Sequence, residues 1–174
     1  MAPPRWGAHL LRPDWAERLV VDAGVRRGDL VVDVGAGLGA LTAPLVDRGA
    51  HVVAVELHPG RAQSLRDRFG RAVTVVQVDA RDLRLPRRPF TVVANPPFAV
   101  SAPLLRRLLH PGNALVAAHL VLQEPVVRRW RTTEAPGFGR WSRAFAVTSG
   151  RRLPRAAFHP PPRVDARVLV VRRR

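Results

Sequence analysis

The segment with the most specific chemical pattern is Asn95-Pro96-Pro97-Phe98, which directly follows a valine-rich run. Its two prolines make the loop stiff, so the Asn95 amide and the neighbouring backbone carbonyls are held in fixed positions. A site for a planar amine needs acceptors that are held in this way, with an aromatic ring beside them. The segment therefore predicts such a site, and the alternative is a proline-rich strand exit without a chemical role.

A second group of residues predicts a nucleoside cofactor. The turn from Asp33 to Gly39 carries three glycines and precedes a helical pattern, so its backbone can approach a ligand at a helix N-terminus. Glu56 follows the next apolar run, where an acid accepts hydrogen bonds from ribose hydroxyls. Asp79 follows the third run and is suited to an adenine amino group. A nicotinamide dinucleotide is the alternative, but the third glycine comes one position early for its fingerprint, which also has no use for Asp33.

Charge is a third guide to function. The chain has 29 basic residues, all of them arginine, against 13 acidic ones, and its net charge is +16. GC-rich coding accounts for arginine in place of lysine, but not for the excess of bases over acids. The excess favours RNA as a partner, because guanidinium groups pair with phosphates and stack on unpaired bases. The absence of cysteine excludes disulfides, thiol catalysis and cysteine-ligated metals.

Periodic patterns indicate the elements that position these residues. Valine-rich runs of strand length alternate with helical patterns, which predicts an α/β fold with a mostly parallel sheet and helices on both faces. The predicted strands are 30–34, 51–55, 73–78, 90–94, 114–122, 144–148 and 167–171, and the predicted helices are 41–47, 61–69 and 104–109. A further helix is opened by the capping pair Asp14 and Glu17 and ends near Gly24. Residues 123–140 and 151–163, rich in Arg, Pro and Gly, are expected to be loops.

The length of 174 residues predicts a single domain over residues 1–174, with an N-terminal segment at 1–13. No apolar stretch is long enough to cross a bilayer, and the N-terminus has no signal-peptide pattern. We therefore expect a cytoplasmic protein without a membrane span, and a monomer.

Taken together, the motifs resemble those of the rRNA adenine N6-methyltransferases. This family contains the erythromycin-resistance (Erm-type) enzymes of 23S rRNA and the small-subunit adenine dimethyltransferases. The further motifs that carry the resemblance are Gly7-Ala8-His9-Leu10-Leu11, Gly139-Arg140-Trp141-Ser142 and Phe158-His159-Pro160-Pro161-Pro162-Arg163-Val164-Asp165. The family usually has Gln-Asn where this chain has Ala8-His9. It also normally adds a small helical C-terminal domain, which we expect this chain to lack.

The resemblance implies a Rossmann-like methyltransferase fold with a seven-stranded sheet, and S-adenosylmethionine bound along the carboxyl ends of its strands. The implied cofactor-binding residues are His9 and Leu11 in the N-terminal segment, Asp33, Gly35 and Gly37 at the glycine turn, Glu56 and Leu57 after the second strand, Asp79 and Ala80 after the third, and Asn95 in the proline-rich loop.

The resemblance also implies that Asn95, Pro96 and Phe98 are catalytic. The N6 amino group of adenine is a poor nucleophile because its lone pair is delocalised into the ring. Acceptance of its two N–H bonds by the Asn95 side-chain oxygen and the Pro96 carbonyl would localise that lone pair. Neither a metal nor a general base is needed. The implied RNA contacts are Phe98, which would stack on a flipped adenine, and Arg140, Trp141 and Phe158.

The expected function is N6-methylation of an unpaired adenine in 23S rRNA with a role in macrolide-type resistance, because the loop around Trp141 looks closer to the Erm-type branch. The alternatives are a small-subunit rRNA dimethyltransferase of ribosome maturation, a protein glutamine or DNA adenine methyltransferase, and a basic RNA-binding module without activity. Free or partly assembled rRNA is the expected substrate. The arginines expected to contact its phosphates are those in 128–131, 140, 143, 151–152 and 172–174.

Overall fold

The helices and strands follow the valine-rich and helical patterns closely. Residues 9–174 are described by the structure, a computed structural model, so Gly7 and Ala8 of the N-terminal motif lie outside the described residues. The strands are β1 (Leu10–Leu11), β2 (Leu30–Val34), β3 (His51–Val55), β4 (Val73–Val76), β5 (Phe90–Ala94), β6 (Leu115–Gln123), β7 (Phe145–Leu153), β8 (Phe158–His159) and β9 (Ala166–Arg173). The α-helices are α1 (Pro13–Ala23), α2 (Thr42–Asp47), α3 (Pro59–Phe69), α4 (Ser101–Leu108), α5 (Glu124–Trp130) and α6 (Phe138–Trp141).

The main sheet has seven strands in the order β4-β3-β2-β5-β6-β9-β7. The five strands from β4 to β6 are parallel, and β9 is antiparallel to both β6 and β7. The predicted seven-stranded, mostly parallel sheet is therefore confirmed. We call the edge where the parallel strands end the carboxyl edge. The strand order reverses between β2 and β5, and ligands of open α/β sheets bind in the crevice that such a reversal leaves at this edge.

Helices cover both faces of the sheet, as predicted. One apolar cluster joins the sheet to α1, α2 and α3, and the other joins it to α4 and α5. Successive side chains of a strand point to opposite faces of the sheet, so Val31 packs in the cluster with α1, α2 and α3, and Val32 packs in the cluster with α4 and α5. Burial on both faces explains why the strands are almost continuously apolar. In the part of the chain that the structure describes, no helix is both long and apolar enough to cross a membrane.

Helix α1 starts differently from the prediction. Pro13 is its first residue, and Arg12 at the N-cap position forms no side-chain capping hydrogen bond, so Asp14 lies in the first turn. The predicted capping pair is wrong, because a proline has no N–H to cap and its fixed φ angle already starts the helix. The predicted end is confirmed, since Gly24 closes the helix in the left-handed conformation with φ +65°.

The segment predicted as a loop over 123–140 contains helices α5 and α6. Val127 and Trp130 are buried at helical spacing, a signal that the surrounding arginines and prolines obscured. The predicted loop 151–163 is also shorter than expected, because β7 continues to Leu153 along β9.

A small second sheet joins the N-terminal segment to the residues that precede β9. Strand β1 pairs antiparallel with β8, with Leu10 opposite His159 and Leu11 opposite Phe158. Two strands of two residues carry no periodic pattern, which is why the sequence did not predict them. Their pairing holds the N-terminal segment beside the residues that follow β8.

Candidate active site

A cavity of about 520 Å³ opens at the carboxyl edge of the sheet. Its volume suits a small-molecule ligand or cofactor. The cavity brings together all the cofactor-binding residues that the resemblance implied, together with Pro96 and Phe98, which the resemblance implied to be catalytic. These cofactor-binding residues are His9, Leu11, Asp33, Gly35, Gly37, Glu56, Leu57, Asp79, Ala80 and Asn95. Sequence reasoning missed Leu38, Arg61 and Arg81, which also line it.

The glycine turn after β2 packs directly against the Asn95 loop. Gly35 has φ +75°, and a Cβ atom placed on it would lie 2.8 Å from Cδ of Pro97. Its N–H and that of Ala36 both donate to the carbonyl of Val55, at 2.8 and 3.0 Å. Glycine is therefore required here for two reasons, the left-handed backbone and the close approach of the proline.

Glu56 connects the glycine turn to the start of α3. Its Oε2 accepts a hydrogen bond from the Gly37 N–H and its Oε1 accepts one from the His58 N–H, both at 2.8 Å. The carboxylate is buried and held in one orientation by these two bonds. Each oxygen keeps acceptor capacity, which fits a pair of ribose hydroxyls.

Asp33 lies beneath the glycine turn and is only 1% exposed. Its Oδ2 accepts a hydrogen bond from the Thr42 hydroxyl at 2.7 Å, while its Oδ1 has no hydrogen-bond partner among residues 9–174. Burial raises the pKa of Asp33 to about 7, and the negative charge of Glu56 acts in the same direction, whereas the bond from Thr42 opposes it. A buried acceptor without a partner beside a cavity is ready for a donor or a cation on a ligand.

Asp79, which follows β4, is held by Arg81. The Oδ1 atom accepts from the backbone N–H of Arg81 at 2.8 Å and from its Nε at 3.0 Å, and Oδ2 accepts from its Nη2 at 2.7 Å. These hydrogen bonds lower the pKa of Asp79. Two bonds use the lone pairs of Oδ1, so the carboxylate has one lone pair left, on Oδ2. Arg81 is two positions after Asp79 in the sequence, and this close spacing is the signal that could have predicted its contact with Asp79.

Asn95 is oriented by the N-terminal segment. Its Nδ2 donates a hydrogen bond to the His9 carbonyl at 2.8 Å, a contact between residues far apart in the chain. Within the described chain, neither Asn95 Oδ1 nor the Pro96 carbonyl accepts a hydrogen bond. Both atoms that the sequence predicted to bind the amine are therefore available as acceptors.

His9 joins three parts of the cavity wall. Besides its carbonyl bond to Asn95, its ring lies 5.6 Å from the Phe98 ring, centroid to centroid. Its Nδ1 is 2.8 Å from the carbonyl oxygen of Pro160, which can only accept, so Nδ1 carries the proton. The departure from the usual family motif at this position thus places an imidazole against the aromatic wall of the site.

The RNA contacts predicted for Trp141 and Phe158 are not supported by their positions. Trp141 is 5% exposed, packs against Trp130 and Phe138, and donates from Nε1 to the Pro136 carbonyl. Phe158 is 3% exposed, packs in the apolar cluster that joins the sheet to α1, α2 and α3, and does not line the cavity. We withdraw both contacts, because a ring enclosed by core side chains offers no face to a base. Arg140, in contrast, is exposed.

The sheet order and the site define a class of protein, the Rossmann-like methyltransferases that use S-adenosylmethionine. Among solved structures, the 23S rRNA methyltransferase ErmE is 29% identical to this chain, with a TM-score of 0.81. The match covers 95% of this chain and 70% of that one.

Sequence comparison narrows the class to a family. Residues 6–174 match the ribosomal RNA adenine dimethylase family, and the chain belongs to it. Ribosomal RNA small subunit methyltransferase A of Cupriavidus taiwanensis is 36% identical over 182 residues, which cover 97% of this chain and 65% of the relative. The rRNA adenine N-6-methyltransferase of Corynebacterium diphtheriae is 36% identical over 157 residues, which cover 88% of this chain and 62% of the relative. The chain thus spans less than two thirds of the length of these curated relatives.

The family resemblance found in the sequence is therefore confirmed, and the cofactor of the family is S-adenosylmethionine. The residues around the cavity fit this cofactor, because they combine a glycine turn, an acid suited to a ribose and a buried acceptor without a partner.

Proposed function

We propose that the protein transfers methyl groups from S-adenosylmethionine to the N6 amino group of an adenine in ribosomal RNA. The observation that carries the proposal is the state of Asn95. One N–H of its amide donates to the His9 carbonyl and orients the side chain, while its Oδ1 and the Pro96 carbonyl are available in the same cavity as the glycine turn. Two fixed acceptors beside a cofactor site suit a substrate with two N–H bonds to donate, as an exocyclic amine has.

The cofactor supplies an electrophilic methyl group on a sulfonium centre. Asp33 Oδ1 and the glycine turn would hold its methionine part, Glu56 its ribose, and Asp79 with Ala80 its adenine edge. Leu38 and Leu57 are half exposed at the cavity, so they offer apolar surface to the adenine ring.

Activation of the substrate would be the task of the Asn95 loop. When Oδ1 of Asn95 and the carbonyl of Pro96 each accept one N–H bond, the nitrogen becomes pyramidal and its lone pair is directed at the methyl group. Phe98, steadied by the His9 ring, would stack on the flipped adenine. The methylated nitrogen can lose its proton to water, so catalysis consists mainly of orientation and electrostatic stabilisation.

The proposal also concerns which ribosomal RNA carries the target adenine. The relatives named as small-subunit methyltransferases favour 16S rRNA. The expectation of 23S rRNA remains a second candidate, because the chain is 29% identical to ErmE with a TM-score of 0.81. A resistance role belongs to this second candidate. We also propose that the protein acts in the cytoplasm, on RNA alone or partly assembled, as a monomer.

The test is methylation in vitro with methyl-labelled S-adenosylmethionine. Separate reactions with 16S rRNA, 23S rRNA, duplex DNA and a protein mixture, followed by mapping of the modified base, distinguish the candidates. Label at an adenine N6 in one rRNA is expected. Label only in DNA or protein, or in no substrate, would contradict the proposed function.

The resistance role has a separate test in cells. Expression in a macrolide-sensitive bacterium should raise the inhibitory concentration of erythromycin only if the target lies in 23S rRNA. The Asn95→Ala variant, expressed at the same level, is the matched control.

A further inference from the structure

The crossover from β6 to β7, residues 124–144, carries five arginines whose side chains lie free on the surface. All five are exposed, and none forms a side-chain hydrogen bond or ion pair with another residue of the described chain. They are Arg128, Arg129, Arg131, Arg140 and Arg143, and we call them the basic strip. The acids of this crossover are Glu134 and Glu124, and Glu124 is already paired with Arg167 at 2.9 Å.

Other arginines predicted to contact phosphates serve the fold instead. Arg151 pairs with Asp22 and Arg152 with Asp165, each at 2.6 Å. Arg173 donates to the carbonyls of Leu115 and Asn113. These side chains are less available to a partner, whereas Arg172 is exposed and forms no side-chain hydrogen bond or ion pair with another described residue. The basic strip is therefore the larger group of exposed, unpaired arginines among the predicted clusters.

The path of the chain determines where the basic strip runs. Both β6 and β7 are antiparallel to β9, so they are parallel to each other. The chain therefore leaves β6 at the carboxyl edge and must enter β7 at the opposite edge. Nine residues of β6 rise about 30 Å at ~3.3 Å per residue. The crossover spans this length, starting at the edge that holds the cavity.

The basic strip rests on a rigid support. Trp130 of α5 and Trp141 of α6 are buried, and their rings lie 6.4 Å apart. The two tryptophans pack the helices onto the sheet, so they present no face for stacking on bases. Surfaces that bind single strands combine positive charge with exposed aromatic rings. The basic strip has the charge and lacks the rings, and this combination suits phosphate contacts along a duplex.

We propose that the basic strip binds the phosphate backbone of the double-stranded stem next to the target adenine. This inference rests on the proposed function, because it takes structured RNA as the substrate. The flipped base would enter the cavity at the carboxyl edge, and the stem would extend along the crossover toward the opposite edge. The contacts are independent of base sequence and depend on stem length.

The experiment compares RNA hairpins that share the target loop and differ in stem length. One stem has about 4 base pairs and the other about 16, the length that double-stranded-RNA domains contact. The test variant is Arg140→Gln with Arg143→Gln, two exposed arginines of the basic strip near the start of β7, at the end of the crossover away from the cavity. The matched control is Arg66→Gln with Arg71→Gln, two exposed arginines near β4 at the other end of the sheet. Calorimetry with S-adenosylmethionine checks that both variants keep the folded cofactor site.

The expected result is a loss of affinity by the test variant on the long stem only. Its slope of log affinity against log salt should become less steep by about 0.7 to 0.9 for each phosphate contact removed. The control should match the unmodified protein on both stems. Equal losses in the two variants, or a loss by the test variant that is the same on both stems, would overturn the inference.

Methylation of the same hairpins is measured in parallel. Binding that behaves as expected with no methylation of any RNA would contradict the proposed function and leave the basic strip standing. Methylation of the hairpins, with no effect of stem length on the binding loss of the test variant, would contradict the inference about the basic strip and leave the proposed function standing.

Discussion

Asn95 shows how a single side chain becomes specific through its neighbours. A side-chain amide has an oxygen that accepts and a nitrogen that donates hydrogen bonds, and either atom could face a substrate. One N–H of the Asn95 amide donates to the His9 carbonyl and fixes the orientation of the amide, and the acceptor Oδ1 has no partner among the described residues. The chemical character of the site therefore depends on a backbone atom of the N-terminal segment.

We expect Asn95→Ala to lower the single-turnover rate of methyl transfer by about 10²- to 10³-fold, the usual cost of removing one transition-state acceptor or donor. Cofactor affinity, measured by calorimetry, should change little, because the main bond of Asn95 is to the reacting amine. Asn113→Ala is the control, since its amide binds the carbonyls of Arg107 and Leu108. Retention of most of the rate in Asn95→Ala would show that the amide does not activate the amine.

Arg81 determines which lone pair of Asp79 is left for a ligand in the cavity. We expect Arg81→Gln to weaken S-adenosylmethionine binding about tenfold, in line with the loss of a charge-assisted bond. The variant should also discriminate less against an analogue that lacks the adenine amino group, because the Asp79 carboxylate loses its fixed orientation. Arg84→Gln, exposed in the same loop, is the control. Unchanged discrimination in Arg81→Gln would contradict this orienting role.

At the scale of elements, the glycine turn and the Asn95 loop behave as one unit. A Cβ atom on Gly35 would lie 2.8 Å from Cδ of Pro97 and 3.4 Å from Cα of Pro96. We therefore expect this contact to couple cofactor binding to the proposed activation of the amine.

We expect Gly35→Ala to reduce folding stability by about 1 to 3 kcal/mol through backbone strain and the added contact. It should also reduce both cofactor affinity and the methyl transfer rate. Gly28→Ala is the matched control, because Gly28 has φ +85° and open space where the Cβ atom would lie. Chemical denaturation and single-turnover assays compare the two. Equal effects of both changes would mean that the contact with Pro97 carries no coupling.

His119 is a polar residue in the middle of β6. It is buried, and its Nε2 has no hydrogen-bond partner in the described part of the chain. Burial, together with the positive charge of Arg172, lowers the pKa of His119 to about 4, while the negative charge of Asp22 opposes this shift. Between pH ~6.5 and about 4 the unfolded chain therefore takes up a proton that the folded protein does not. This difference makes the protein less stable as the pH falls through that range.

We expect His119→Leu to lose less stability than the unmodified protein between pH 7 and pH 4. Asp33 acts in the opposite sense, because its raised pKa makes the folded protein lose stability as the pH rises toward 7. Taking the difference between the two proteins at each pH cancels the contribution of Asp33. Thermal unfolding across this range measures the effect, and parallel pH profiles of the two proteins would show that folding does not lower the pKa of His119.

At the scale of the whole molecule, charge is distributed unevenly. The net charge of +16 attracts a polyanion from any direction, but many arginines are already used within the fold. The cavity lies at one edge of the sheet, and the basic strip extends from that edge. The molecule thus suits an RNA that can reach the cavity with a flipped base and contact the side of the protein with its backbone.

We expect protein-free rRNA, or partly assembled subunits, to be methylated faster than intact subunits. Ribosomal proteins cover phosphates that the arginines would contact, and packing of the RNA opposes flipping of the adenine. Initial rates on purified rRNA and on intact subunits, at equal concentration and salt, test this. Faster methylation of intact subunits would show that the assembled surface contributes to recognition.

The sequence by itself determined the strands, the glycine turn and the Asn95 loop. Each of these depends on a local pattern: continuous apolar residues for a strand buried on both faces, glycines for a left-handed turn, and prolines for a stiff loop. The family followed from the same motifs. A single domain without the helical addition stays a prediction.

Only the tertiary structure decided which side chains are available. The burial of Trp141 and Phe158, the bond between Asn95 and His9, and the exposure of the basic strip all depend on contacts between residues far apart in the chain. The pairing of β1 with β8 and the insertion of β9 between β6 and β7 create these contacts. A local pattern carries no record of such pairings, because they are selected by the packing of the whole sheet.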